Sequence, residues 1–186
     1  EYEDLISDNP IFTSRTMKTG ILAKETAEQF SITGANLRAS GAAKDLRKDS
    51  PYLIYNLLDF NIPVKQAGDS YCRYITRINE MKESNKIILQ CLDRLLTDEN
   101  DNEINLKLNP LSIKPEGEVI SEVESSRGLM QCIISADGSS NPLRIKWRTP
   151  SFYAAQLLNT IAKNHLLPDL MAVFGSLDII MPEVDR

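Results

Sequence analysis

The chain has 186 residues, 42% of them hydrophobic and 25% charged, with a formal net charge of -5. Those proportions suit a chain that buries a core, and the acidic balance argues against a nucleic-acid footprint. No basic run marks a membrane-surface patch, and no apolar stretch approaches the ~20 residues needed to span a bilayer.

The length allows one domain or two small ones. Cys72, Cys91 and Cys132 lie far apart and form no Cys-x-x-Cys or Cys/His cluster. They read as buried reduced thiols, and so point to a reducing compartment. The chain begins at Glu1 without a methionine, the mark of a processed piece or a fragment.

In chain order, Glu1 to Phe12 reads as the end of a helix broken at Asn9-Pro10. Gly20 marks a turn, Ala23 to Phe30 a helix with Ala27 and Phe30 inward, and Thr33-Gly34-Ala35-Asn36 a loop. From Leu37 to Lys48, small residues (Ala39, Ser40, Gly41, Ala42, Ala43) are bracketed by Arg38, Asp45 and Arg47. Small residues let backbones approach closely, and an arginine fork in such a place reaches carboxylates or carbonyls. Buried ion pairing is therefore expected here, against a solvated basic loop.

Tyr52 to Leu58 is short helix or extended chain. A long helix follows over about 69–96, capped by Asp69 or Ser70. Its stripe is Tyr74, Ile78, Met81, Ile88, Leu92 and Leu95, expected to face a helical core. Arg73, Arg77 and Glu80 lie on another face, where Arg77 and Glu80 can pair locally. Thr97 to Pro115 is polar and patternless, a solvated loop.

The period then changes to two. Gly117–Glu124, Gly128–Ala136 and Leu143–Arg148 alternate as a three-stranded meander over about 117–148. Its last strand puts Leu143, Ile145 and Trp147 on one face and Arg144, Lys146 and Arg148 on the other, a docking or solvated face. Ser151 caps a helix with the stripe Phe152, Ala155, Leu158, Ala162. His165, the only histidine, falls at its end as a dipole-compensating group. Pro168 opens a last helix to Leu177, completing terminal helices within 151–177. Residues 178–186 interleave carboxylates and an arginine with Ile179, Ile180, Met181 and Val184: either a packed cap or the wall of a site.

Pattern alone gives an α+β fold, a mostly helical body with a small antiparallel sheet. No dinucleotide or phosphate-loop motif, HExxH or Ser/His/Asp order is present.

Five motifs occur in order: Leu37-Arg38-Ala39-Ser40-Gly41 with Asp45-Leu46-Arg47; Gly68-Asp69 with Arg73, Arg77, Glu80 and Ser84; Glu124-Ser125-Ser126-Arg127-Gly128; Arg148-Thr149-Pro150-Ser151-Phe152; and Asp178 through Glu183-Val184-Asp185-Arg186. With them the chain, over 1–186, resembles the C-terminal half of the 49-kDa, [NiFe]-hydrogenase large-subunit-like quinone-site subunit of respiratory complex I. The resemblance implies a core part of a proton-pumping NADH:ubiquinone oxidoreductase, inactive alone.

It also implies a quinone-head cavity at or near Asp178, Ile180, Met181, Glu183, Val184, Asp185 and Arg186. Arg38, Asp45, Arg47, Arg73, Arg77, Glu80 and Arg127 are the candidates for structural ion pairs. Related hydrogenases hold their metals with a Cys-x-x-Cys pair whose places here are Ile180 and Glu183. Neither supplies a thiolate, so no metal is expected. Ubiquinone is the implied substrate, with flavin (FMN) and iron–sulfur clusters in partner subunits and no cofactor on this chain. The family's quinone-contacting His and Tyr lie in its N-terminal half, and His165 does not match them.

The implied partners are a separate chain carrying that half, the iron–sulfur-cluster subunit and the other complex I subunits. The chain would be peripheral to the membrane, on the matrix side of the mitochondrial inner membrane or the cytoplasmic side of a bacterial one. Leu129 departs from the family's Glu and Pro182 from its Gly, and the stretch 97–116 is short. The alternatives are a non-catalytic assembly subunit, or a membrane-bound hydrogenase relative without metal.

Overall fold

The computed structural model describes residues 3–97 and 114–185. The expected solvated loop falls almost wholly on 98–113, outside the described residues, as does Arg186.

A π-helical stretch, Glu3–Ser7, precedes helix α1, Pro10–Thr16. Asn9-Pro10 starts this helix rather than breaking one: the Asn9 carboxamide accepts from the amides of Ile11 and Phe12, and Pro10 takes the first position. That position has no intrahelical N–H partner to lose, so proline costs nothing there. Helix α2 is Lys24–Gln29, with Ala27 buried and Phe30 packed against the core.

Helix α3, Gly34–Arg38, replaces the expected loop. It is buried from end to end, so its five residues make no amphipathic pattern to read. Helix α4, Leu46–Asp49, is capped by the Asp45 carboxylate, and a 3-10 turn forms at Tyr55–Leu57.

Helix α5, Ser70–Thr97, is the longest element. Asp69 Oδ1 accepts from the Cys72 amide and caps it. Its face toward the chain's own interior is polar: Ser70, Arg73 and Thr76 are its buried residues. The apolar stripe expected in a core is instead open: Met81, Ile88, Leu92 and Leu95 are each about half exposed or more.

The sheet is an antiparallel meander in the order β1-β2-β3, with β1 Glu116–Ser125, β2 Gly128–Asp137 and β3 Arg144–Arg148. Val119 faces Ile134, Val123 faces Met130 and Trp147 faces Cys132 across the ladders. The expected strands and turns are all present.

Helix α6 is Pro150–Ile161. Ser151 is its second residue, not its cap. Ala154, Leu157 and Ile161 are its buried stripe, one residue out of step with the expected one. Helix α7, Leu167–Leu177, ends at Asp178 in a left-handed conformation, and α8 spans Met181–Asp185. His165 Nε2 accepts from the Gly20 amide at 3.3 Å, so its role is to join two segments. No described helix is long and apolar enough to cross a membrane.

The core is Leu22, Ala27, Ile32, Leu37, Ala42, Leu157, Ile161, Val173 and Leu177. It draws on α2, α3, α6 and α7, and leaves α5 and most of the sheet on its flanks.

Candidate functional site

Four groups, from α5, β1 and the segment before α4, converge on the Arg38 guanidinium, whose side chain is only 2% exposed. Arg38 Nε donates to Glu80 of α5 at 2.6 Å. Its Nη1 donates to Glu124 of β1 at 2.9 Å and to the Lys44 carbonyl at 2.9 Å. Asp45 lies 3.5 Å from the same nitrogen. Arg47 grips Asp45 with Nε at 2.9 Å and Nη2 at 2.6 Å, the fork geometry of a two-point pair. Its guanidinium then lies over the Phe60 ring. Glu80 therefore goes to Arg38, not to Arg77 one turn away, because Arg38 meets it in a buried place where charge attraction is least screened.

The cluster is asymmetric. Burial disfavours the Arg38 cation, but Glu80 and Glu124 outweigh that and its pKa rises. Burial also opposes the Asp45 carboxylate, yet the Arg47 hydrogen bonds and the Arg38 charge hold it below the usual range. Glu124 is held above its usual range by burial, which Arg38 only partly offsets and the Asp45 charge reinforces.

These shifts act on stability with opposite signs. The stability Asp45 contributes is complete above the usual aspartate pKa and is lost as pH falls through its depressed value. Glu124 binds its proton more tightly folded than unfolded, so its effect runs the other way. Stability rises as pH falls through its raised pKa toward the usual glutamate value. Glu124→Gln is therefore expected to make the slope of the denaturation midpoint against pH more positive just above pH ~4.5, because it removes a contribution that falls as pH rises. An unchanged slope there would refute the assignment.

A second group holds the C-terminal end of α7, where exposed carbonyls attract cations. Arg77 donates to the Ser176 carbonyl at 2.6 Å and to Asn36 Oδ1 at 2.9 Å, and its Nε lies 3.7 Å from Asp178 Oδ2. Among the described residues that Nε has no hydrogen-bond partner. Asn36 closes the ring by donating to the Leu177 carbonyl at 3.1 Å. Arg127, from the β1–β2 turn, donates to the Asp178 carbonyl at 3.0 Å and its carboxylate at 3.1 Å.

Arg73 is fully buried and donates to Ser176 Oγ, the Gly68 carbonyl and Ser70 Oγ. It forms no ion pair among the described residues. Burial and the neighbouring Arg77 pull its pKa down to about 10.

Two cavities flank the Arg77–Asp178 wall. One, about 430 Å³, is polar; its lining includes Arg38, Glu80, Ser84, Glu124 and Arg127. The other, about 510 Å³, lies between α1, α5 and α7, with Phe12, Tyr74, Met171, Ala172 and Gly175 as apolar walls and Arg15, Thr16, Ser70, Arg77, Ser176 and Asp178 as its polar groups. That mixture, mostly apolar with a few convergent polar groups, is the usual make-up of a small-molecule site.

Of the terminal residues expected around a cavity, Asp178 lines both of these. Ile180, Met181, Glu183, Val184 and Asp185 line neither. They dock on the start of α6 instead. Glu183 Oε2 accepts from Ser151 Oγ in a short hydrogen bond, and from the Ser151 amide. The Glu183 carbonyl accepts from Thr149 Oγ1 at 2.6 Å, and the Ile180 amide donates to Ser151 Oγ. A carboxylate at a helix N-terminus satisfies free amides and complements the dipole. Among the described residues no group of His, Cys, Asp and Glu is arranged to hold a metal ion.

Sequence reasoning missed Asn36 and Arg148. Asn36 stood in a supposed loop. Arg148, read as part of a docking face, ties the meander to the body. It donates to the Leu129 and Ser31 carbonyls, both at 2.7 Å, and stacks over Tyr153.

The chain matches the family described as "Respiratory-chain NADH dehydrogenase, 49 Kd subunit" over residues 1–112 and 107–186. It is 42% identical to a D-type NADH-quinone oxidoreductase subunit of Symbiobacterium thermophilum, across 100% of this chain and 48% of that protein. It is 41% identical to the D-type NADH-quinone oxidoreductase subunit of Bacillus thuringiensis and 40% to that of Bacillus anthracis, across 99% of this chain and 50% of each. The chain thus spans about half the length of the curated relatives it matches. It belongs to the 49-kDa subunit family of respiratory-chain NADH dehydrogenase, corresponding to the C-terminal half of that subunit.

Proposed function

We propose that this chain supplies one side of the quinone-reducing cavity of a multisubunit NADH:quinone oxidoreductase, with Asp178 as its polar contact. The observation that carries the reading is the placement of Asp178. It sits on a left-handed turn at the end of α7, pinned by Arg77 and Arg127, in the lining of a groove with apolar walls. Apolar walls pack a quinone ring, and an anchored carboxylate beside an arginine tunes the charge and proton supply of its reduction.

In this reading Glu183, Ile180, Met181, Val184 and Asp185 back the cavity wall by fixing the turn onto α6. The electrons arrive through flavin and iron–sulfur clusters in partner subunits, none of them held by Cys72, Cys91 or Cys132. Proton pumping belongs to the whole assembly. The rest of the quinone cavity comes from the other half of the subunit, on the same or a separate polypeptide, and from the neighbouring iron–sulfur-cluster subunit. The bacterial origin of the relatives favours the cytoplasmic face of a bacterial membrane over the mitochondrial matrix face.

Asp178→Asn in the assembled complex tests the reading. The expected result is a fall of roughly tenfold or more in kcat/KM for quinone, the scale of one lost charged contact, with NADH oxidation by a water-soluble electron acceptor unchanged. Equal quinone kinetics in wild type and variant would overturn it and favour a non-catalytic assembly role.

A further inference from the structure

The outer edge of β1 carries a set of recognition features that no described strand uses. Odd residues of β1 hydrogen-bond to β2: Gly138 donates to the Pro115 carbonyl on that side. The even residues point their amides and carbonyls away from the sheet. Glu124 proves the direction, since its amide donates outward to the Tyr52 hydroxyl at 3.1 Å. Tyr52 thus closes the edge at its C-terminal end, while Glu118, Ile120 and Glu122 meet no strand among the described residues. A row of backbone groups with no strand partner among the described residues is a template for another strand.

Both faces beside this edge specify what would fit. On one, Val119 and Val123 are 59% and 40% exposed, beside Ile145 and Trp147 of β3. On the other, Glu118 and Glu122 accept, among the described residues, from the neutral donors Ser135 Oγ and Gln131 Nε2, and Glu122 feels the Arg148 charge only at longer range. No described lysine or arginine forms an ion pair with either. Beneath this second face a cavity of about 430 Å³ opens, lined by Leu46, Pro51, Tyr52, Ile120 and Glu122 among others. A long basic side chain suits it: the aliphatic stem lies on Ile120 and Pro51 while the charged end reaches Glu122.

We infer that β1 is completed by a strand from the half of the subunit that these 186 residues do not include, one that alternates basic and apolar side chains. The inference rests on the assignment of the chain to half of a longer subunit. That assignment supplies the occupant: relatives about twice as long carry a comparable length of polypeptide beyond this one. Charge supplies its character, because basic residues opposite Glu118 and Glu122 give favourable cross-strand pairs and acidic ones give repulsion. Main-chain bonds provide affinity and the alternating side chains provide the match.

The test uses the assembled complex. With the edge paired, residue-resolved hydrogen exchange shows the amides of Glu118, Ile120 and Glu122 protected as strongly as those of Val119 and Ser121. With the edge open, the even amides exchange far faster, and the inference fails. A photoreactive benzophenone side chain replacing Val119 is expected to cross-link to the other half, at a segment alternating basic and apolar residues. A cross-link to another subunit, to a second copy or back to this chain overturns the inference while leaving the half-subunit assignment standing. A complex with no polypeptide supplying the other half overturns both. The double variant Glu118→Lys, Glu122→Lys is expected to lower incorporation into the complex on the order of tenfold. Reversing the facing basic residues to glutamate restores it. Unchanged incorporation in the double variant counts against the charge match.

Discussion

Replacing Arg38 with alanine is expected to cost about 3–5 kcal/mol of stability, the scale for removing one partner of a buried ion pair. The mechanism is the charge left behind. Glu124, 6% exposed, and Glu80, 14% exposed, would lose their cation in a place that water scarcely reaches, while Asp45 keeps only its Arg47 fork. The Lys44 carbonyl loses its donor as well.

Arg38→Lys keeps the charge but not the planar fork, and so recovers only part of the loss. Adding Glu124→Gln to Arg38→Ala removes one stranded carboxylate, so the double variant should be less damaged than the sum of the two singles. Denaturant midpoints and the yield of assembled complex measure both effects. A midpoint for Arg38→Ala equivalent to less than about 1 kcal/mol of destabilisation would show that water reaches the cluster freely.

Gly34→Ala is expected to cut the joint between the meander and the helical body. Gly34 has φ +68°, and a Cβ there would collide with the Arg127 carbonyl oxygen and lie 2.6 Å from Gly128 Cα. The backbone conformation alone costs an L-residue about 1–2 kcal/mol. The contact is with backbone, which has no rotamer by which to escape, so the β1–β2 turn must move away. That movement also breaks the bond from the Leu129 amide to Thr33 Oγ1, another ~1 kcal/mol. The turn carries Arg127, so the damage should extend to the Asp178 contacts. Faster limited proteolysis within 114–148, beyond anything seen in Thr33→Val, which removes only the hydroxyl, is the expected reading. Equal digestion of the two variants would show that the joint tolerates displacement.

The residues explain which expectations survived contact with the fold. The meander was readable because its alternation is local and its turns are marked by Gly128 and Asp137-Gly138. The long helix was readable too, but not its inward side. Its Leu and Ile stripe drew the eye, while Ser70, Arg73 and Thr76 are what the chain buries. Hydrophobic period identifies a helix and its faces; it does not say which partner covers which face. Here the apolar face is open in a chain half the length of its relatives. Helix α3 escaped notice because complete burial erases periodicity, and α6 slipped by one residue because Ser151 resembles a cap while serving Glu183.

The terminal stretch shows the same division. Its composition alone posed two readings, a packed cap or the wall of a site, and the structure divides the stretch between them. Asp178 lines the cavities, whereas Glu183 accepts from the first turn of α6 and the Ile180 amide donates to Ser151 Oγ. The split depends on the left-handed turn at Asp178 and on contacts across 29 to 51 residues of sequence. Sequence alone determined what is local and periodic: the long helix, the meander, the two terminal helices and the small-residue stretch around Arg38. Tertiary structure decided the pairing of charges, because Coulomb attraction depends on distance and burial rather than on neighbours in the chain. Glu80 was one turn from Arg77, yet it belongs to Arg38, 42 residues away.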